Sequence, residues 1–211
     1  MKRFSYSILV LIISIFSASA QNNTDAEKII NNLLTSVKTS AIRTNFNLKI
    51  TEKNALNSQS NSGIFTLKGD KFVLEMDETK AWFDGKTQWA YMVQNNEVSI
   101  TEPTAQEVAS INPMAILSGY KAKSVVRFSK KKSAQNHIIE MRPKQKNTDF
   151  TLIEVQISKS NQQLVSVLLT DKNGLNTMLS LSNYQKGFKV TDDFFQFNKS
   201  KYKNVVINDL R

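Results

Sequence analysis

The spacing of apolar residues along the chain changes near residue 40. Between residues 24 and 40, apolar side chains recur every three or four positions, which is the spacing of one face of an α-helix. These positions are Ala26, Ile29, Ile30, Leu33, Leu34 and Val37. From residue 46 onward, Phe46, Leu48 and Ile50 alternate with polar residues, as in a β-strand that has one apolar face. The pattern therefore predicts one N-terminal helix followed by strands.

Turn-forming residues divide the rest of the chain into short strands. Gly69-Asp70 separates two of them, and Asp84-Gly85 is a strong hairpin signal because both positions tolerate a positive φ. Ser160-Asn161 and residues 171–174 mark further turns in the second half. Roughly ten or eleven short strands with hairpin-length connections predict an antiparallel sheet. Residues 192–211 look like one more extended segment that closes the domain.

Residues 104–119 are the only other helical material that the pattern predicts. Thr104 and Glu107 have the spacing of a capping box, in which each side chain satisfies a free backbone N–H group of the other. Asn112-Pro113 is a good start for a further helix, and Gly119 is its predicted stop. Both helices are short, and neither would be stable alone because isolated helices below about 12 residues are marginal in water.

The balance of strand and helix predicts the architecture. Ten strands at about 4.8 Å spacing would form a sheet roughly 45–50 Å wide. One long helix and two short ones, each about 10 Å across, are too few to cover a flat sheet of that width. The sheet must therefore curl. We predict a mainly β (α+β) fold: a strongly curved antiparallel sheet forming an unclosed barrel, covered by an N-terminal helix and short lid helices, with apolar lining left over as a ligand cavity.

The first twenty residues have the three parts of a secretory signal. Lys2 and Arg3 form a basic start, residues 6–16 are apolar, and Ala18-Ser19-Ala20 is a small-residue cleavage site. The apolar run is too short to cross a bilayer, which needs roughly 20 residues. We expect residues 1–20 to be a signal peptide cleaved after Ala20, and residues 21–211 to form a single exported domain. The chain has no cysteine, so this domain must be held together by burial alone.

Charge and residue types argue against several kinds of site. The formal net charge is +10, but the lysines are scattered apart from Lys130-Lys131-Lys132, which is typical of a surface that keeps a protein in solution. Docking to an anionic membrane or an acidic partner is the alternative interpretation. Trp82, Trp89 and their neighbours are surrounded by charges of both signs, which argues against nucleic-acid binding. Packing in the core is the default role of such aromatic residues.

No constellation of polar residues predicts catalysis. The single histidine, His137, has no cysteine or second histidine to share a zinc ion, so no metal site is expected. Glu75 and Asp77 are two apart on a predicted strand, but we expect both to face water on the outer side of the sheet. Neither a nucleotide-binding glycine motif nor a nucleophile elbow is present. The sequence therefore predicts no enzyme and no cofactor.

Residues 82–103, WFDGKTQWAYMVQNNEVSITEP, followed by INPMAIL at 111–117, resemble the outer-membrane lipoprotein carrier family of LolA-like periplasmic chaperones. That family has a similar Asp-Gly-Lys-Thr hairpin ahead of a lid of short helices. The same order recurs over essentially the whole mature chain, from the export signal and N-terminal helix through FNLKI, FTLKGDKFVLEM, the hairpin and the lid to strands that end near DDFFQF. The hairpin with its Trp and Tyr is the most specific piece.

The resemblance implies an unclosed β-barrel whose open side is covered by helices over an apolar cavity. Such carriers take acylated lipoproteins from an inner-membrane lipoprotein-releasing ABC transporter and deliver them through the periplasm to an outer-membrane acceptor. Each buried CH₂ of an acyl chain contributes about 0.8 kcal/mol, so an exposed chain would aggregate or return to the membrane. We expect a monomer with no nucleic-acid partner.

The resemblance also implies which residues form the site. The acyl-chain-binding residues would be Phe46, Leu48, Phe65, Leu67, Phe72, Leu74, Met76, Trp89 and Tyr91. Whether Trp89 and Tyr91 face inward is open at this point. The lid residues would be Val108, Ile111, Met114, Ile116 and Leu117. Many members carry Lys-Arg-Pro after the second strand, where the arginine hydrogen-bonds the lid. This chain has Lys68-Gly69-Asp70 instead, so closure would rest on apolar contact or on another residue.

Three alternatives remain open from the sequence. The apolar residues could fill a closed core without any cavity. A related half-barrel could be a sensor or adaptor that binds a lipidated or partner protein in the periplasm without transporting it. An exported enzyme on a β-scaffold is the third, and the lack of polar constellations disfavours it.

Overall fold

The computed structural model describes residues 23–53, 58–185 and 187–211. The predicted signal peptide, residues 1–20, lies outside these described residues. The helices are α1 (residues 23–39), α2 (Ala105–Ile111) and α3 (Pro113–Lys121), with two 3-10 helices at Asp192–Phe195 and Lys199–Lys201. The strands are β1 (Ile42–Thr51), β2 (Gln59–Lys68), β3 (Lys71–Glu75), β4 (Thr79–Phe83), β5 (Gln88–Met92), β6 (Glu97–Thr101), β7 (Ser124–Phe128), β8 (Asn136–Pro143), β9 (Phe150–Ser158), β10 (Leu164–Asp171), β11 (Asn176–Gln185) and β12 (Val206–Asp209). In this described part of the chain, we find no helix with the length and hydrophobicity needed to cross a membrane.

All twelve strands belong to one sheet in the order β12-β6-β5-β4-β3-β2-β1-β11-β10-β9-β8-β7. The two end strands, β12 and β7, do not pair with each other, so the sheet is not closed. Phe83 of β4 and Val126 of β7 stand far apart in this order but are buried in the same cluster, because the sheet curves around it. The predicted mainly β, unclosed and strongly curved sheet is confirmed.

The prediction that the whole sheet is antiparallel is wrong at one edge. β12 pairs with β6 in parallel, from Val206 opposite Glu97 to Asp209 opposite Ile100. A parallel neighbour needs a crossover connection instead of a hairpin. That connection contains the two 3-10 helices, so residues 192–211 are not the single extended segment that their sequence predicts.

Helix α1 covers part of the concave face of the sheet. Ala26, Ile30, Leu33 and Val37 are buried in the concave cluster, and the two other members of the predicted stripe are half-buried against it. The backbone N–H of Gly69 donates to the carbonyl of Val37 (2.9 Å), which ties the end of α1 to the β2–β3 turn.

Helices α2 and α3, which we call the lid, begin where the sequence predicts. The capping box is formed, since the Glu107 N–H donates to the Thr104 hydroxyl (3.3 Å) and the Glu107 carboxylate accepts from the Thr104 N–H (2.7 Å). The Asn112 side chain accepts from the Met114 N–H (2.9 Å) at the start of α3. Helix α3 does not stop at Gly119 but continues to Lys121, and it packs against β7 and β8.

A second apolar cluster lies on the convex face. Val73 alternates along β3 with Phe72 and Leu74, which belong to the concave cluster, so Val73 faces the other way. The convex cluster joins strand residues to the C-terminal segment. It contains Val73, Trp82 and Phe195, with Trp89, Tyr91, Val190, Phe194, Phe197 and Tyr202 half-buried around them.

Candidate functional site

An apolar cavity of about 230 Å³ lies between the concave face and the lid. Its floor is formed by the neighbouring strands β3, β2, β1, β11 and β10, in the middle of the sheet. Its cover is formed by both lid helices. The lining residues are Phe46, Leu48, Asn61, Phe65, Leu74, Met76, Ile111, Pro113, Ile116, Val167, Leu169, Thr177, Leu179 and Leu181. Only Asn61 and Thr177 among them are polar.

Strand register explains how the floor is assembled around β1. Phe46 pairs with Leu181 and Leu48 pairs with Leu179 across β11, so these four apolar side chains share one face. On the other side, Phe46 pairs with Gly63 of β2. A Cβ atom at Gly63 would lie 2.9 Å from Cε1 of Phe46 and 2.0 Å from the carbonyl oxygen of Glu75. Glycine is therefore needed where the Phe46 ring crosses β2.

Seven of the sequence-predicted site residues line this cavity: Phe46, Leu48, Phe65, Leu74, Met76, Ile111 and Ile116. Five others are buried in the concave cluster beside the cavity without lining it: Leu67, Phe72, Val108, Met114 and Leu117. Phe72 lies between two further rings, with centroids 5.7 Å from Phe65 and 5.3 Å from Phe83. These residues therefore form the packed surround of the cavity.

The structure places Trp89 and Tyr91 on the convex face, away from the cavity. Trp89 pairs with Trp82, and Trp82 pairs with Val73, so all three project from the face opposite to Leu74. The Tyr91 ring lies 4.6 Å from the Tyr202 ring, and its hydroxyl donates to the Asn96 side chain (3.1 Å). Their assignment as inward-facing wall residues is therefore corrected: their contacts hold the C-terminal segment.

Sequence reasoning missed the half of the floor that comes from late strands. Val167, Leu169, Leu179 and Leu181 line the cavity from β10 and β11. Their alternation with polar residues was a visible signal for strands with one apolar face. What the sequence did not reveal is that β11 lies beside β1, because that pairing joins residues more than a hundred positions apart.

The positions of the missing arginine latch are engaged elsewhere. Gly69 donates to Val37 of α1, and Lys68 forms an ion pair with Asp192 of the C-terminal segment (3.9 Å). Polar contacts of the lid instead lie at the end of α3. Lys121 donates to the Asn31 side chain on α1, and the Tyr120 hydroxyl donates to Asp149 (3.5 Å). Burial, followed by the Asp149 charge, raises the pKa of Tyr120.

The possible carboxylate pair is not brought together. Glu75 is the last residue of β3, and Asp77 lies beyond the strand. The Glu75 carboxylate accepts from Arg43 (2.9 Å) and from Lys80 (2.8 Å) on the convex face, so it is half-buried in an ion-pair cluster and does not simply face water. Burial would raise the pKa of Glu75, but the bonds to Lys80 and Arg43 outweigh it and lower the pKa.

The remaining titratable groups provide no further chemical site. His137 stacks near Phe128, with ring centroids 5.9 Å apart, and burial followed by the Lys159 charge lowers its pKa. Over residues 23–53, 58–185 and 187–211, no group of three or more His, Asp or Glu side chains is arranged to hold a metal ion.

Comparison with known proteins agrees with this architecture. The family described as "Outer membrane lipoprotein carrier protein LolA" matches residues 16–165. An outer-membrane lipoprotein carrier protein from Shewanella baltica (strain OS155) is 27% identical over 216 residues, which covers 100% of this chain and 98% of that protein. One from Shewanella sp. (strain W3-18-1) is 29% identical over 191 residues, covering 89% and 86%.

A solved structure supports the fold alone. An uncharacterized conserved protein from Thermus thermophilus superposes with a TM-score of 0.58 at 10% identity, and the match covers 88% of this chain and 99% of that one. The family match spans well over half of the chain, and it includes the hairpin, the lid and most of the cavity floor. The chain therefore belongs to the outer membrane lipoprotein carrier protein LolA family.

Proposed function

We propose that this protein is a periplasmic chaperone that binds the acyl chains of lipoproteins in its apolar cavity and carries them from the inner to the outer membrane. The observation that carries the proposal is an almost wholly apolar space of about 230 Å³ that short helices cover. Transfer of apolar surface out of water supplies the binding free energy, and no covalent chemistry or cofactor is required.

The size of the cavity indicates that cargo enters by moving the lid. It exceeds the roughly 150 Å³ of an apolar cavity that stays dry and admits benzene. It is smaller than the roughly 300–1,000 Å³ of typical ligand pockets, so a long acyl chain needs more room than the closed form offers. The lid helices have 7 and 9 residues, which is too short for stability of their own. Such segments open at low free-energy cost.

The proposed site combines the seven predicted lining residues with the strand residues that sequence reasoning missed. Phe46, Leu48, Phe65, Leu74 and Met76 would contact the chain from β1 to β3 and just beyond. The opposite wall would consist of Val167, Leu169, Leu179 and Leu181. Leu67 and Phe72 would support the floor, while Val108, Met114 and Leu117 would hold the lid helices against the cluster.

The proposal extends to partners and location. Acylated lipoproteins would be the cargo, an inner-membrane lipoprotein-releasing ABC transporter the donor and an outer-membrane protein the acceptor. Residues 1–20 would direct export and be removed after Ala20, leaving 21–211 as a single monomeric domain. The predicted signal sequence and the family of the chain support this scheme.

Release of lipoproteins from inner-membrane vesicles that contain the transporter tests the proposal. Leu179→Asp puts a charge on the cavity floor and should abolish release, because an ionised carboxylate cannot be buried without a partner. Met178→Asp is the matched control, since its side chain projects from the opposite face of the same strand. Normal release by Leu179→Asp would contradict the proposal. Tight acyl binding by the native protein without any release would favour the sensor or adaptor.

A further inference from the structure

Strands β10 and β11 separate at one end of the sheet. Their pairing runs from Thr170–Asn176 to Ser166–Ser180, although β10 begins at Leu164 and β11 continues to Gln185. Both strands are irregular where they part. The register of β10 against β9 shifts between Leu164 and Ser166, and the register of β11 against β1 shifts opposite Arg43 and Asn45. Within the described pairings, the two strands therefore present unpaired edges to each other over 164–165 and 181–185.

A groove of about 780 Å³ occupies this split. It is lined by residues 134–136, 158–161, 163–165 and 181–184. Tyr184 bridges the gap, since its hydroxyl donates to the carbonyl of Leu164 (2.6 Å). A side chain, and not strand pairing, thus joins the two edges at this point.

The side chains around the groove are mostly neutral hydrogen-bonding groups. Lys159 is the only charged residue in the lining, and its ammonium group already donates to the carbonyls of Ser133 (2.8 Å) and Ala134 (3.3 Å). The amides of Gln135, Gln163 and Asn183 make no side-chain hydrogen bond within the described part of the chain. Neutral amides and free strand edges match the peptide main chain, which offers one donor and one acceptor per residue.

The groove is continuous with the apolar cavity. Leu181 lines both spaces, so a single half-buried side chain separates them. A ligand with an acyl chain in the cavity can therefore place its next segment in the groove. In an acylated protein that segment is an extended polypeptide.

We propose that the groove binds the polypeptide segment that follows the acylated residue of the cargo, as an added strand between β10 and β11. Main-chain hydrogen bonds of this kind give affinity with little dependence on side-chain sequence. That property suits a carrier whose cargo proteins differ beyond the acylated residue. This inference rests on the acyl-binding function proposed above.

Hydrogen exchange measured by mass spectrometry tests this assignment with three probes. These are an N-palmitoyl-cysteinyl hexapeptide of Ser, Gly and Asn, the same molecule with its peptide nitrogens methylated, and N-palmitoyl-cysteine methyl ester. We expect the unmethylated lipopeptide to slow exchange at 164–165 and 181–185 and to bind about tenfold more tightly than the ester, since a few net hydrogen bonds suffice for that factor. N-methylation removes the donors and should reduce the advantage to about twofold or less.

The outcomes separate the two proposals. If all three probes bind with equal affinity and exchange at 181–185 is unchanged, the groove assignment is overturned while acyl binding stands. A lipopeptide that retains its full advantage after N-methylation also overturns main-chain pairing. If none of the probes binds, the acyl-carrier function fails, and the groove assignment fails with it.

Discussion

The two faces of the same sheet are finished in different ways. On the convex face, Val73, Trp82 and Phe195 are 1%, 6% and 0% exposed, and their aromatic neighbours pack ring against ring. The Phe197 ring lies 5.4 Å from Trp82 and 4.9 Å from Tyr202. On the concave face, a cavity of about 230 Å³ remains between the strands and the lid.

The difference follows from what covers each face. The convex cover is an aromatic-rich segment whose end is fixed by the pairing of β12 with β6. The concave cover over the cavity consists of two short helices that contribute Ile111, Pro113 and Ile116. Apolar strand faces alone therefore do not determine whether a site is a core or a binding space. The size and anchorage of the covering segment decide it.

Truncation on the packed face should have the largest effect on stability. Phe195→Ala removes a fully buried ring and should lower the free energy of unfolding by about 3–5 kcal/mol, because the packed cluster cannot fill the void. Leu179→Ala beside existing empty space should cost about 2 kcal/mol or less. Urea denaturation measures both. Equal costs would contradict the contrast between the faces, and acyl binding by Phe195→Ala should stay at the native level.

Closing the floor of the cavity should have the next largest effect. Gly63→Ala places a methyl group against the carbonyl of Glu75 and the Phe46 ring, so β2 and β3 must shift. Over-packing of this kind should cost about 1–3 kcal/mol and weaken palmitate binding. Denaturant titration and displacement of a fluorescent fatty acid measure the two effects. Native stability together with native binding would show that this glycine is not needed.

Stiffening the lid should give a smaller effect of opposite sign. A Cβ atom at Gly119 in α3 meets nothing within 4 Å, so Gly119→Ala should stabilise the helix by about 1 kcal/mol. The closed form gains that stability, and acyl-chain uptake in stopped-flow fluorescence should slow by up to about fivefold. Faster uptake would contradict entry through the lid.

The smallest predicted effect concerns pH and the convex ion-pair cluster. The pKa of Glu75 is lower in the folded protein than in the unfolded chain, so its contribution is present above the unfolded pKa and is lost as pH falls through the folded pKa. Glu75→Gln should therefore cost about 0.5 kcal/mol at pH 7, and the difference from the native protein should vanish in acid. Thermal unfolding between pH 7 and pH 3 measures this, with exposed Glu52→Gln as the control. A difference that grows on acidification would reverse the assigned sign.

The sequence predicted those parts of the fold that local patterns determine. Alternation at Phe46, Leu48 and Leu74 identified one apolar face on each strand, and the capping residues Thr104 and Asn112 located the lid helices. The small amount of helix relative to strand was enough to predict an uncovered, curved sheet with residual space.

The remaining features depend on contacts between distant parts of the chain. Alternation indicates that Trp89 and Tyr91 share a face, but only their register with Trp82 and Val73 determines that this face is convex. The parallel edge strand depends on the crossover that the C-terminal aromatic residues make over that face. Leu179 and Leu181 become cavity residues only because β11 pairs with β1.

Native mass spectrometry of the protein mixed with a palmitoylated lipopeptide tests the central claim most directly. The account predicts a one-to-one complex for the native protein and for Met178→Asp, and none for Leu179→Asp. A complex that survives in Leu179→Asp, or native protein that takes up no acylated ligand, would contradict the claim that the space between sheet and lid receives an acyl chain.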